Sequence, residues 1–298
     1  MYVKPREDEV IVKKIYFLIG ILILGITAMV FFHSKNPKAQ ESITFFPIDP
    51  KVTFITTETS LELVNHNSLL WKIDSTLDRK AYLRQDVGFL FSNGRLIGQL
   101  GNWKQNKATI IQEKRVSSDK SAFLQAISFH YAELHKNEGQ IYSSQALSAD
   151  QLYIVLQDEN TDYSFRDPKT REQNKSKQEL DEQTERMLQY SWNKGVRHYG
   201  IHLRDYQAFP LNQFNKRAKS GLPGFTKQET DTIVGQLWEG LYKNYFLGIK
   251  RQDGTTVNPI GSTLPLILLA NNKSHLLVLT ETVRGEPILL RQMIEDID

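Results

Sequence analysis

The sequence predicts an α+β fold: an N-terminal single transmembrane helix followed by an extracytoplasmic region of antiparallel sheets with packed helices, in two lobes. Three observations carry this. Ile15 to Phe32 holds no charged residue. Asn93-Gly94 stands between two apolar runs, and Asn-Gly supplies the two positive-φ residues of a type I′ hairpin turn. Strand-like runs then mix with amphipathic helices without strict βαβ alternation, the pattern of α+β domains.

The apolar run is interrupted only by Gly20, Gly25 and Thr27. At 1.5 Å rise per residue, about 18 residues span roughly 27 Å, near the thickness of the hydrocarbon layer. A cleaved signal peptide has a shorter apolar core, about 7–15 residues. Pro37-Lys38-Ala39 also makes a poor cleavage site, so the segment reads as an uncleaved, single-pass signal-anchor in the lipid bilayer. Lys4, Arg6, Lys13 and Lys14 precede it, against Lys35 and Lys38 just after it. Acidic residues count little in this bias, which places the N-terminus in the cytoplasm and the rest outside the cell membrane. The expected division is a cytoplasmic tail at 1–14, the transmembrane helix at 15–33 and a Pro-containing spacer at 34–50. An α+β lobe at 51–157, a charged linker or exposed helix at 158–180 and a second α+β lobe at 181–298 follow.

In the first lobe, Thr53 to Leu70 begins β-branched and is ambiguous beyond Thr57 between strand and helical turn. Tyr82–Phe91 and Arg95–Leu100 flank the Asn93-Gly94 turn as hairpin strands, and Ala108–Glu113 adds a third strand. Phe123, Ile127, Tyr131 and Leu134 recur at i, i+4, i+8 and i+11, which predicts a helix capped by Ser118 or Asp119 and ended by Gly139. Gln140–Tyr142 and Gln151–Leu156 read as two further strands. Mixed charges crowd 157–183, a solvated stretch. Leu180, Met187, Leu188 and Trp192 form the stripe of a helix closed by Gly195.

In the second lobe, Tyr199–Arg204 reads as a strand and Gly221-Leu222-Pro223-Gly224 as a turn. Thr226 and Glu229 have capping-box spacing, in which each side chain satisfies a backbone donor of the other. Ile233, Val234, Leu237, Trp238, Leu241, Tyr242 and Tyr245 form the apolar face of the helix behind it. Leu264–Ala270 and His275–Val283 make a hairpin around Asn271–Ser274. Ile288–Leu290 closes the chain as a strand or helix.

Composition narrows the chemistry. Apolar residues make up 40% and charged residues 24%, as in an ordinary globular protein. The chain has no Cys. That excludes a disulfide scaffold, Cys-ligated zinc, an iron–sulfur cluster, a Cys nucleophile and a lipid anchor on cysteine. A net charge of +3 is too small for an electrostatic nucleic-acid footprint, so no nucleic-acid partner is expected. Walker A, Gly-x-Gly-x-x-Gly, Gly-x-Ser-x-Gly, His-Glu-x-x-His and EF-hand patterns are absent from the sequence, and no cofactor is expected.

Two constellations remain. His130, Glu133 and His135 come close to the inverted zinc motif His-x-x-Glu-His but miss its order by one residue, so they read as polar-face helix residues and no metal is expected. His198 and His202, four apart on an extended segment, stand about 13 Å apart, too far to share an ion. Trp71, Trp103, Trp192 and Trp238 each adjoin an apolar or amphipathic segment and read as packing residues. The second constellation is Ser117-Ser118-Asp119-Lys120, Ser191-Trp192-Asn193 and Lys219-Ser220-Gly221. In chain order these resemble the three motifs of penicillin-binding proteins and serine β-lactamases. The resemblance implies Ser117 as nucleophile and Lys120 as its base or base partner, with Ser191 and Lys219 completing the site. Each tripeptide also reads locally: a helix cap, a helix end and a surface turn. The leading expectation is therefore a membrane-anchored binding, sensory or regulatory module that meets another envelope protein or a ligand. A cell-envelope serine hydrolase is the alternative.

Overall fold

The computed structural model describes residues 46–65, 68–136, 139–157, 162–250 and 255–294. Ile15 to Phe32 lies outside the described residues. Among the described residues, no helix is long and apolar enough to cross a membrane. Ser42–Asp298 forms one compact unit.

The fold is sheet-rich and antiparallel, with few helices. Five long strands come first: β1 (Phe54–Asn65), β2 (Ser68–Ser92), β3 (Arg95–Ser117), β4 (Ala122–His135) and β5 (Ile141–Val155). The short β6 (Tyr163–Phe165) completes a sheet of order β1-β2-β4-β5-β6, with β3 on the other side of β2. Helix α1 (Arg171–His198) leads to β7 (Tyr206–Pro210), α2 (Leu211–Ser220) and α3 (Lys227–Phe246). After the small pair β8 (Ile249–Lys250) and β9 (Thr256–Val257) come β10 (Leu266–Ala270), β11 (His275–Glu281) and β12 (Pro287–Met293). The second sheet has the order β12-β11-β10-β7.

Strand β2 is 25 residues long and changes neighbours halfway. Its first half pairs with β1, from Leu77 opposite Phe54 to Ser68 opposite Asn65. Its second half, Leu83 to Ser92, pairs with β4. The register against β3 shifts between Thr76 and Ala81, and there the ribbon folds back on itself. Trp71 from the first half lies against Gly88 of the second: a Cβ on Gly88 would stand 2.9 Å from Trp71 Cζ2. The result is two layers with Leu61, Leu69, Trp71, Ile73, Leu124 and Ile154 packed between them. On the far side of β2 and β4, the larger core gathers Val87, Phe89, Phe129, Trp238, Leu241 and Leu268, so the helices and second sheet share one core with the first sheet. Burying each such side chain contributes about 1.5–3 kcal/mol.

The local signals behave as expected. Asn93 (φ 46°) and Gly94 (φ 78°) form the β2–β3 turn. Thr226 and Glu229 make a full capping box at the start of α3. Replacing Thr226 with alanine is expected to cost about 1 kcal/mol, read as a lower denaturation midpoint at unchanged m-value. The 264–283 hairpin forms as β10 and β11, with Leu266 opposite Leu279. The final apolar run is a strand, β12.

Five expectations are corrected. Ala122–His135 form a strand, where the spacing predicts a helix capped by Ser118 or Asp119. Phe123, Ile127 and Tyr131 are spaced by four, which is two strand periods as well as one helical turn. Both faces of β4 are buried, so polar alternation does not betray it. Ala108–Glu113 is no separate strand but the second half of β3, beyond the fold-back. The two strands read at 140–156 are one, because Ser143, Ser144 and Ser148 point into polar surroundings inside the protein. Gly195 does not end α1. It lets the helix press on β11, where a Cβ would stand 2.7 Å from Leu279 Cδ1. Tyr199–Arg204 is a turn with a short 3-10 segment at Leu203–Asp205, and the strand starts at Tyr206.

His275, at the start of β11, lies 3.0 Å from Tyr206 Oη through Nε2 and 2.7 Å from Ser274 Oγ through Nδ1. Burial, and then the nearby Arg291, hold its pKa below the ordinary value. The unfolded chain therefore takes up a proton that the folded chain refuses. Stability is expected to fall as pH drops below about 6.5. Thermal melts between pH 8 and pH 5 check this, and His275→Gln should flatten the dependence.

Candidate functional site

The four residues of the hydrolase resemblance are placed apart. Ser117 is exposed and ends β3 opposite Ser68. It does not open a helix, so the helix N-terminus expected to activate it is missing. Lys120 is exposed in the turn before β4, where its carbonyl accepts a hydrogen bond from Ser118 Oγ at 2.8 Å. Ser191 is buried on α1, 3.5 Å from Thr263 Oγ1. Lys219 is exposed in the last turn of α2. No hydrogen bond or ion pair joins any two of them among the described residues. His198 ends α1, and His202 lies in the turn beyond it. Glu133 and His135 pair at 2.5 Å on the same side of β4, while His130 faces the opposite way, as strand parity requires. Among the described residues no three His, Asp or Glu side chains are placed to hold a metal ion.

His130 belongs to a different constellation. Its Nε2 is 2.7 Å from Ser148 Oγ, and its Nδ1 is 2.9 Å from Asp86 Oδ2. Asp86 also accepts from Ser75 Oγ at 2.6 Å and from Arg84 Nη2 at 3.3 Å. Arg84 donates to Ser75 Oγ and to the Tyr131 carbonyl, at 2.5 and 3.3 Å, and to the carbonyl of Ala108. At the other end, Ser148 Oγ meets Thr59 Oγ1 at 2.5 Å, and Thr59 donates to Ser128 Oγ at 2.7 Å. The side chains of Arg84, Asp86 and His130 are 0% exposed. Burial pulls the Arg84 guanidinium below its ordinary pKa, and the Asp86 carboxylate opposes that pull.

Register builds this chain. His130 stands opposite Asp86 across β2 and β4, and Ser148 stands opposite Ser128 across β4 and β5. The fold-back of β2 brings in Ser75, and β1 brings in Thr59. Ser148, His130 and Asp86 thus repeat the contact order of a Ser–His–Asp proton relay. The site is closed, however. Thr59 occupies the outer side of the serine oxygen, and none of the three lines any of the cavities described below. What the arrangement does as folded is lock the register of five strands. A slip of one residue would turn the whole polar set to the wrong face.

Open concave surface lies elsewhere. A cavity of about 560 Å³ runs between α1 and the segment from Leu203 to Gln213. Its floor is apolar, with Phe123, Leu188 and Leu264, and its rim carries Asp181, Glu185 and Gln189. Trp192 forms one wall, fixed by its indole N–H donating to the Leu264 carbonyl at 3.0 Å. Asp181 accepts from the Tyr153 hydroxyl at 2.7 Å and pairs with Lys177. Burial, and then this neighbouring carboxylate, push the Tyr153 phenol above its ordinary pKa. Asp181 and Glu185 also line a shallower groove that continues along α1 past Lys175 to Arg171. A smaller cavity of about 290 Å³ lies between β5 and α3, with Lys219 on its rim.

Sequence reasoning singled out His130 but not Asp86, Ser148 or Thr59. Had β4 been read with period two, Ser128 and His130 would have fallen on one face, opposite Ile127, Phe129 and Tyr131. That parity is the one signal of the polar chain in the sequence. Against known proteins, no family model matches the chain, and neither does any curated protein.

Proposed function

We propose that the protein is a membrane-anchored, extracytoplasmic binding module, and that the cavity beside α1 is where its partner sits. Ile15 to Phe32 is the signal-anchor helix in this reading, with a cytoplasmic N-terminus and everything after His33 outside. The chain divides at 158–180 into a sheet lobe and a helix-and-sheet lobe that share one core. The partner is another envelope protein or a ligand of the same compartment. The observation that carries the reading is a contrast within the fold. Among the described residues, the constellation with relay geometry, Ser148–His130–Asp86, is sealed between layers. The open cavity combines an apolar floor with a rim of carboxylates and amides, the make-up of a recognition site. Glu185, which has no ion pair among the described residues, favours a partner group that is cationic or rich in hydrogen-bond donors.

The test is site-specific photo-crosslinking in cells with the full-length protein. A benzophenone side chain at Gln189 or Gln213, both lining the cavity, should give a discrete adduct. One at Ile55, exposed on β1, should not. Adducts of equal yield at all three positions, or none at the cavity, contradict the proposal.

A further inference from the structure

The end of the domain where the chain joins it carries cations that the protein does not neutralise. The first described residue, Phe46, is fastened there by its carbonyl accepting from Ser143 Oγ at 2.6 Å. Asp49 pairs with Lys136 at 2.6 Å, and Arg79 Nη2 donates to the Lys51 carbonyl at 3.2 Å. These contacts put residues 46–51 beside the fold-back of β2 and the turn between β4 and β5. Register adds β3 to the same end, with Lys107 opposite Ala81 and Lys104 opposite Arg84.

The carboxylates of this end are engaged. Asp49 holds Lys136, Asp78 holds Arg79, and Glu133 holds His135. Lys51, Lys80, Lys104 and Lys107 have no ion pair among the described residues, and all but the half-buried Lys104 are exposed. Two exposed aromatic rings lie on the same stretches of β2 and β3. Tyr82, 52% exposed, stacks on His135 at 3.8 Å, and Trp103 is 39% exposed on β3. Lysines around exposed Tyr and Trp are the composition that settles at a lipid headgroup layer.

We infer that this end docks on an anionic phospholipid bilayer, as a second contact beside the anchor. The inference rests on the reading of Ile15 to Phe32 as that anchor. The spacer of about 13 residues between Phe32 and Phe46 reaches at most roughly 45 Å when extended. It joins the domain at the cationic end and at no other, so the tether keeps that end the nearest to the bilayer and at high effective concentration. Lysines within a Debye length of anionic headgroups each strengthen membrane association about fivefold. Docking would orient the domain with the bend of β2 toward the lipid.

The experiment uses the full chain in lipid nanodiscs. Because the protein has no Cys, Gln105→Cys gives a single site beside the lysines for a fluorophore quenched by nitroxide-headgroup lipid. In discs with about a third phosphatidylglycerol, strong quenching is expected. It should be lost in pure phosphatidylcholine, in high salt, and in the variant with Lys51, Lys80, Lys104 and Lys107 all changed to Gln. That variant should weaken surface association on the order of 100-fold or more. Its thermal melt should match the parent, since none of the four makes an ion pair. Equal quenching in neutral and anionic discs, or quenching untouched by the four substitutions, overturns the docking while leaving the anchor in place. A chain that does not elute with the discs overturns the anchor reading, and the docking with it.

Discussion

Replacing Asp86 with alanine is expected to destabilise the domain by about 3–5 kcal/mol, because it strips the partner from a fully buried guanidinium. Arg84 would keep its bonds to Ser75 and to the carbonyls of Tyr131 and Ala108, but its charge would have no counter-charge. His130 would lose its Nδ1 contact at the same time. Denaturant unfolding of the purified protein reads the loss. A change below about 1 kcal/mol would mean that the buried pair does not lock the strand register. The double variant Arg84→Met with Asp86→Leu serves as a control. Removing both charges leaves no unpaired charge, although His130, Ser75 and the Tyr131 and Ala108 carbonyls lose neutral partners, so it should cost distinctly less than Asp86→Ala alone.

Trp238→Ala should cost about 3–5 kcal/mol by leaving a large cavity at the centre of the main core. The indole stacks on Phe89 and Phe129, with ring centroids 5.3 Å away in both cases. With Tyr245 and Phe246, which also pack on Phe89, it joins α3 to β2 and β4, so its loss is felt by the first sheet and the helical layer together. Among the described residues, its Nε1 has no hydrogen-bond partner. Trp238→Phe, which removes only that N–H and part of the ring, should therefore lose much less than the alanine variant. Equilibrium unfolding of the two variants side by side distinguishes packing from polar loss. Equal destabilisation by Phe and Ala would contradict the packing role.

The sequence spoke clearly where the determinant is local. Asn93-Gly94, the Thr226–Glu229 box and the turn at Asn271–Ser274 each need only neighbouring residues, and each forms as expected. It misled where a periodicity is shared. Phe123, Ile127 and Tyr131 fit a helix and a strand equally. The fully buried setting of β4 removed the exposed polar residues that would have decided between them. The doubling back of β2 was invisible because no Gly or Pro marks it, and Asp78 and Asn106 (φ 53°) stand singly within strand-like runs. It shows only in pairing, where one strand serves β1 with its first half and β4 with its second. The polar chain was illegible for the same reason. Asp86, His130 and Ser148 lie in three different strands, and only register makes them neighbours. Ser117, Lys120, Ser191 and Lys219 show the converse. Motif order along the chain brought no two of them into contact.

Membrane topology tests the central proposal most directly. The cysteine-free sequence makes this simple, since a single introduced thiol is the sole site of reaction. Lys120→Cys places it on an exposed turn of the domain, and Val10→Cys places it ahead of the apolar run. With a membrane-impermeant maleimide on intact cells, the thiol at position 120 should label fully and the thiol at position 10 only after lysis. Labelling at position 120 that requires lysis would contradict an extracytoplasmic binding module.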